Sequence, residues 1–264
     1  MDESSILGEP TPATSYRDAL KLSSAGRFRP AADSFRALAS RSNDSLEKAN
    51  YLIEEAECHR HLMEYDEAAN CAAEAKALVK SDVISCMQIE YFEAKLLISQ
   101  GKREEALHML SGLLRDHPND LTEGEGRELY EQIQVERGFT SMHLERYADA
   151  SPLLAEAATF ELPASCRSEV LCHFVRCCCE LGRYADAKEQ FQLAELLGIS
   201  DEWAATCRYY WGYSLYELGD FAAARRQLIL CLQSGTDGPP RSYVYKLLAA
   251  VCRKLGEREE ALGF

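Results

Sequence analysis

Apolar residues recur at spacings of three and four along most of the chain, as in Ala31, Phe35 and Leu38 after Phe28, and each such run marks the apolar stripe of an amphipathic helix. One short phrase punctuates these runs. It reads Leu181-Gly182-Arg183-Tyr184-Ala185-Asp186-Ala187, returns 37 residues later as Leu218-Gly219-Asp220-Phe221-Ala222-Ala223-Ala224, and returns again after another 37 as Leu255-Gly256-Glu257-Arg258-Glu259-Glu260-Ala261. Towards the N-terminus the same element stands at 144–150, 101–106, 62–68 and 26–31, so seven copies fill the chain. Helical periodicity inside so long a fixed period predicts an all-α solenoid of about seven antiparallel helix pairs, each packed only on its neighbours.

The phrase has a physical reading. Its glycine supplies the left-handed backbone that ends one helix, and an aromatic two residues later opens the next helix by plugging the gap between them. Five residues after the glycine position stands an alanine in every copy (Ala31, Ala68, Ala106, Ala150, Ala187, Ala224, Ala261), and seven before it a small or compact residue (Ala19, Ala56, Ala94, Gly138, Val175, Gly212, Ala249). Small residues on facing turns let antiparallel helices approach closely. With Phe35, Phe191 and Pro118 in their places, the pattern resembles the tetratricopeptide repeat over roughly residues 12–264. It departs from that family in a period of 37 rather than about 34, in Met63 and Glu145 at two turn-glycine positions, and in Arg103 and Arg258 at two aromatic positions. The resemblance implies a right-handed superhelix.

Read in order, residues 1–11 are expected as a disordered tail and 12–264 as a single repeat domain. The helix pairs are expected over about 16–38, 46–79, 83–116, 126–160, 164–197 and 201–233, followed by a first helix over 241–255 and a last helix opening at Glu257. That last repeat is expected to be incomplete, either as a piece of a longer array or with its last helix a short polar cap. Between Gly101 and Glu145 the turn interval widens from 37 to 44 residues, and the extra residues near Pro118, Asn119, Gly124 and Gly126 predict a longer exposed loop or an extended helix start.

Charge and composition narrow the function. With 43 acidic against 29 basic residues the net charge is −14, which repels phosphate backbones and argues against nucleic acid. No secretion signal opens the chain and no apolar run reaches membrane-spanning length, so a cytoplasmic protein without membrane insertion is expected. The 11 cysteines are odd in number and lack C-x-x-C, which predicts free thiols. Cys166, Cys172, Cys177, Cys178 and Cys179 with His173 could suggest a metal or redox centre, but cysteine on a repeat helix is expected to act as a small apolar filler. Phosphate loops, zinc-protease and nucleophile-elbow motifs are missing from the sequence. The six histidines look scattered, and Glu54-Glu55 and Glu104-Glu105 read as solvated helix faces. No catalysis, metal or cofactor is expected.

The surface remains. In a protein resembling tetratricopeptide repeats, the first helix of each pair lines the concave face, with groove residues roughly thirteen, ten, six and three positions before the turn glycine. These offsets give Tyr16, Leu20, Asn50, Ile53, Glu57, Arg60, Gln88, Tyr91 and Lys95 in the first half, a mixed lining. Tyr16, Leu20, Ile53 and Glu57 cannot form the Lys and Asn clamp by which chaperone-binding members hold a terminal carboxylate. The second half gives Phe139, Met142, Cys172, Arg176, Tyr209, Tyr213, Tyr216, Tyr243, Lys246 and Arg253. Tyr209, Tyr213 and Tyr216 share one helical face. With Tyr243, Arg176, Lys246 and Arg253 they are the expected partner-binding residues, an aromatic ladder rimmed by cations and suited to an acidic protein or peptide segment with apolar anchors. The expected function is a protein-interaction scaffold holding a partner peptide or helix within a larger assembly. The alternative is a ligand-gated regulator that binds a short signalling peptide.

Overall fold

The computed structural model describes residues 15–234, 238–257 and 261. Among these residues there are thirteen α-helices and no strand: α1 (Tyr16–Ser24), α2 (Phe28–Arg41), α3 (Ser45–His61), α4 (Tyr65–Leu78), α5 (Val83–Ser99), α6 (Arg103–Asp116), α7 (Gly124–His143), α8 (Tyr147–Ala157), α9 (Ala164–Glu180), α10 (Tyr184–Leu197), α11 (Asp201–Glu217), α12 (Phe221–Gln233) and α13 (Arg241–Leu255). The tail expected over 1–11 and most of the last expected helix lie outside the described residues.

All seven turns close in the same way. Gly26, Gly101, Gly182, Gly219 and Gly256 adopt positive φ, and so do Met63 and Glu145, both at φ 59°. In each, two backbone bonds fold back on the helix end. At Met63, for example, the Met63 amide donates to Arg60 O at 3.1 Å and the Glu64 amide to His59 O at 2.9 Å. This is the Schellman closure, which satisfies the last carbonyls of the helix. It forms with or without glycine because the tertiary stack holds the turn. At the other ends, Asp44 Oδ1 and Asp220 Oδ1 accept from the Glu47 and Ala223 amides at 2.9 and 3.1 Å, capping α3 and α12.

The small residues sit where they were expected. Ala31, Ala68, Ala106, Ala150, Ala187 and Ala224 are fully buried, as are Ala19, Ala56 and Ala94 on the facing helices. A Cβ on Gly138 would lie 2.8 Å from Leu154 Cδ2, and one on Gly212 would lie 2.7 Å from Leu228 Cγ, so glycine is what lets these pairs close. The aromatic plug does more than bridge its own pair. Phe28 stacks on His61 at 4.4 Å, the Tyr65 hydroxyl donates to Ser99 O at 3.1 Å, Tyr147 underlies the Arg176 guanidinium at 6.0 Å, and Tyr184 meets Tyr213 edge-on at 5.9 Å. These four plugs reach the first helix of the next pair.

The chain divides into two compact units, Met1–Ile133 and Gln134–Phe264. In the first, α1 to α6 pack successively and α3 also touches α5; in the second, α8 to α13 do so, with α11 touching both α9 and α13. The extra residues before α7 do not project. Leu121 is buried in a core with Met87, Leu110 and Leu129, and a Cβ on Gly126 would collide with the Asp120 carbonyl. The insertion therefore becomes a folded turn and a 20-residue helix.

Candidate functional site

In the first unit, the first helices α1, α3 and α5 enclose a cleft of about 530 Å³ lined by Tyr16, Asn50, Tyr51, Ile53, Glu54 and Gln88, among others. Four of these are predicted groove residues. One wall is a set of tilted rings, Tyr16 lying 5.7 Å from Tyr51 and 5.9 Å from Phe35. The Tyr16 hydroxyl donates to Glu54 Oε1 at 2.9 Å and the Tyr51 hydroxyl to Glu47 Oε1 at 2.7 Å. Burial, with the Glu54 carboxylate beside it, pushes the Tyr16 hydroxyl up to about 12. Burial likewise pushes the Glu54 carboxyl up, against the pull of the Tyr16 hydrogen bond. A second hollow of about 360 Å³ shares Asn50, Ser85 and Gln88 and adds Asp82, Glu125 and Glu128. The lining residues of both hollows include five carboxylates and neither lysine nor arginine. Asn50 on α3 and Gln88 on α5 are exposed, and their side chains hydrogen-bond to no described residue.

Nearer the turns the same helices are self-satisfied. Lys95 pairs with Glu57 and lies 5.7 Å over the Tyr91 ring, while Arg60 Nε donates to Glu57 Oε2 at 2.7 Å and Arg60 reaches Ser99 Oγ at 3.1 Å. Burial would raise the Glu57 carboxyl, but Lys95 and Arg60 together outweigh it and hold the group below its ordinary value.

In the second unit the predicted tyrosines are half-buried and dispersed among separate partners. Tyr213 meets Tyr184, Tyr216 tilts against Phe221 at 5.6 Å, and Tyr209 meets Tyr210 edge-on at 5.2 Å. Burial raises the Tyr213 and Tyr209 hydroxyls, with Tyr184 adding to the first and Glu180 to the second. Arg176 is committed to the Tyr147 ring, and Arg253 Nε turns back to Ala249 O at 3.2 Å. Tyr243 remains 53% exposed with Lys246 Nζ 5.7 Å from its ring centre. Trp211 stacks on Phe191 at 5.2 Å, filling the contact between α10 and α11.

Three sequence expectations need correction. Cys172 and Cys207 are joined in a disulfide between α9 and α11, with Cα atoms 5.3 Å apart, so the 11 cysteines are not all free thiols. An i to i+35 pairing leaves no local spacing signal. Cys177 and Cys179, pushed by burial to about 12, and Cys178, pushed to about 11, do behave as packed thiols. Glu55 is not on a solvated face: it is 5% exposed and its carboxylate lies 2.8 Å from Arg36 Nε. His59 is not isolated, since its Nδ1 lies 2.8 Å from Glu64 Oε2 and its Nε2 lies 3.6 Å from Glu55 Oε1. The four-residue step from Glu55 to His59 was the available signal.

No family model and no curated protein matches the chain. Solved structures do. A signal-transduction ATPase with a tetratricopeptide repeat sensor from Pyrococcus horikoshii superposes with TM-score 0.73 at 16% identity, covering 94% of this chain and 40% of that one. The apo quorum sensor NprR from B. thuringiensis gives 0.65 at 15% identity over 94% and 72%. YrrB, described as a tetratricopeptide-repeat protein with an unusual peptide-binding site, gives 0.56 at 19% identity over 81% and 96%. The chain has the tetratricopeptide-repeat fold.

Proposed function

We propose that this protein is a non-enzymatic scaffold that holds an extended segment of a partner protein in the first unit's cleft. The observation that carries this reading is the pair of uncommitted amides, Asn50 and Gln88, standing on neighbouring helices in an acid-lined cleft. A carboxamide both donates and accepts, so two of them can satisfy the backbone of an extended chain whatever its side chains. The five carboxylates favour a segment bearing lysine or arginine. YrrB and NprR, a peptide-binding protein and a quorum sensor by description, share the fold and lend support to peptide recognition. The test is fluorescence anisotropy with matched basic and acidic ten-residue peptides. Basic peptides should bind more tightly, weaken as salt rises, and lose at least tenfold in affinity on Asn50→Ala with Gln88→Ala. Equal binding of both peptide classes, or an unaffected double variant, refutes the reading.

A second reading is favoured by the exposed Tyr243 and Lys246. With Tyr209 nearby they would offer an acidic segment with apolar anchors a ring and a cation, while Tyr213, Tyr216, Arg176 and Arg253 are engaged by other contacts. Lys246→Glu should then abolish capture of such a segment without lowering the melting temperature. The same fold would also serve a regulator gated by a short signalling peptide, which a free peptide that binds alone and changes the scattering profile of the protein would reveal. Either role is assigned to the cytoplasm; among the described residues no helix is long and apolar enough to cross a membrane.

A further inference from the structure

Behind the cleft, on the opposite face of α3, three donors of different chemistry converge. Glu55 and His59 lie one helical turn apart, and Cys71 faces them from α4. All three are buried, and their ligand atoms lie within 4.8 Å of one another. The His59 Nε2 to Glu55 Oε1 distance is 3.6 Å, close to the roughly 3.4 Å edge of a tetrahedron built on zinc bonds of about 2.1 Å. The outer side of the ring is also set. His59 Nδ1 lies 2.8 Å from Glu64 Oε2, a carboxylate that requires the proton there. In the neutral ring this leaves the Nε2 lone pair facing a carboxylate oxygen 3.6 Å away, a gap that a proton or a metal ion can bridge. A carboxylate holding the far nitrogen is also how proteins orient metal-binding histidines. Arg36 Nε straddles the Glu55 carboxylate, 2.9 Å from Oε1 and 2.8 Å from Oε2.

We propose that Glu55, His59 and Cys71 form a binding site for one thiophilic divalent cation of the zinc class, with Glu64 orienting His59. Nitrogen, sulfur and oxygen donors in a three-residue set leave a fourth position for water. Arg36 is the competing cation: its guanidinium contacts Glu55, lies 3.3 Å from Cys71 Sγ and donates to Glu74 at 2.7 Å. Arg36 is 41% exposed and Glu74 44%, so the guanidinium can keep Glu74 and give up Glu55 and Cys71 when a metal enters. The ion would pin α3 to α4 and fix the helix that carries Asn50 and Ile53.

The experiment is titration of the full chain, purified without chelator and reduced, with Co²⁺ followed by absorption spectroscopy, and with Zn²⁺ in competition. One equivalent of Co²⁺ should bind with a thiolate-to-cobalt charge-transfer band. Cys71→Ser should remove the band, which separates this thiol from the other free cysteines. His59→Gln should weaken binding at least a hundredfold, and Glu64→Gln, which only positions the ring, about tenfold. Arg36→Met should tighten binding by removing the competitor, and added Zn²⁺ should raise that variant's urea midpoint. Absence of stoichiometric Co²⁺ from both the unaltered chain and Arg36→Met overturns the proposal. So does a band that survives Cys71→Ser, or affinity that does not respond to His59→Gln.

Discussion

Gly212→Ala tests whether close helix approach, rather than turn chemistry, sets the geometry of a pair. Gly212 lies inside α11, and a Cβ there would stand 2.7 Å from Leu228 Cγ, 2.8 Å from Leu228 Cδ2 and 3.3 Å from the Ala224 carbonyl oxygen. Leu228 is fully buried and cannot swing into solvent, and the carbonyl is fixed by its helix. Overpacking of this kind costs about 1–3 kcal/mol. Alanine in place of glycine in a helix interior returns about 1 kcal/mol, so the net expectation is a loss of about 1 kcal/mol. Gly112→Ala in α6 is the control, because its nearest neighbours, Arg115 and Asp116 side-chain atoms, lie 3.8 and 3.9 Å away. That variant should keep the whole gain of about 1 kcal/mol. The two variants should therefore melt apart by roughly 4–8 °C, at about 2–4 °C per kcal/mol for a chain of this size. In a Leu228→Ala background the two closest contacts are gone and only the Ala224 carbonyl at 3.3 Å remains, so Gly212→Ala should lose most of its cost, a coupling of about 1–3 kcal/mol. A Gly212→Ala protein as stable as Gly112→Ala in urea and thermal melts would refute the reasoning.

Met63→Gly should stabilise: the Met63 side chain is 74% exposed and makes way without loss, while its left-handed backbone costs about 1–2 kcal/mol against about 0.5–1 kcal/mol of added chain entropy for glycine. Glu145→Gly should behave alike, and a lowered urea midpoint in both would contradict the strain account. Tyr213→Ser should cost about 2 kcal/mol by uncovering Tyr184, whereas Tyr243→Ser should stay within about 0.5 kcal/mol of the unaltered chain; equal thermal shifts would remove the distinction. Because Lys95 and Arg60 depress Glu57 against its burial, Glu57 contributes stability that is fully present above the ordinary carboxylate value near 4.5 and is lost as pH falls through the lower folded value. The urea-midpoint gap between the unaltered chain and Glu57→Gln should shrink from pH 7 to pH 3, and a constant gap would show that Glu57 is not held by these cations.

Helix pairing was legible because it rests on residues that have one physical use. Alanine five after each turn and a small residue seven before it are size constraints, and size is written in a single residue type. The turn at Met63 and Glu145 was less plain, since their side chains disfavour positive φ; the repeat register marked them, and the packed stack imposes the conformation. The insertion before α7 was ambiguous for the opposite reason. Pro118, Asn119 and Gly124 read as a loop, while Leu121, which ties that turn into the core with Met87 and Leu110, is a single apolar residue in a polar stretch. The four-residue step sets Glu55 beside His59, but the Cys172–Cys207 disulfide and the approach of Cys71 depend on which helix faces turn toward each other, and no local spacing encodes that.

The offsets that placed residues on the first-helix face also explain why only part of that face is open. Of the residues six before the turn, Glu57, Lys95, Arg176 and Tyr213 are committed: the first two pair with each other, and the last two cover the aromatic plugs Tyr147 and Tyr184. Residues three before the turn are likewise engaged, with Arg60 on Glu57 and Ser99, Tyr216 on Phe221 and Arg253 on a backbone carbonyl. The cause is geometric. The plugs Tyr147 and Tyr184 each open a second helix and stand beside the turn end of the next first helix, where they take up Arg176 and Tyr213. The N-terminal half of each first helix lies two to three helical turns from any plug. Asn50, Ile53 and Gln88, at offsets of thirteen and ten, line the cleft in the first unit, and at the same offsets in the second stand Tyr243 and Lys246. Partner specificity should therefore be rewritten by substitutions at these outer offsets, while substitutions nearer the turn should change stability first.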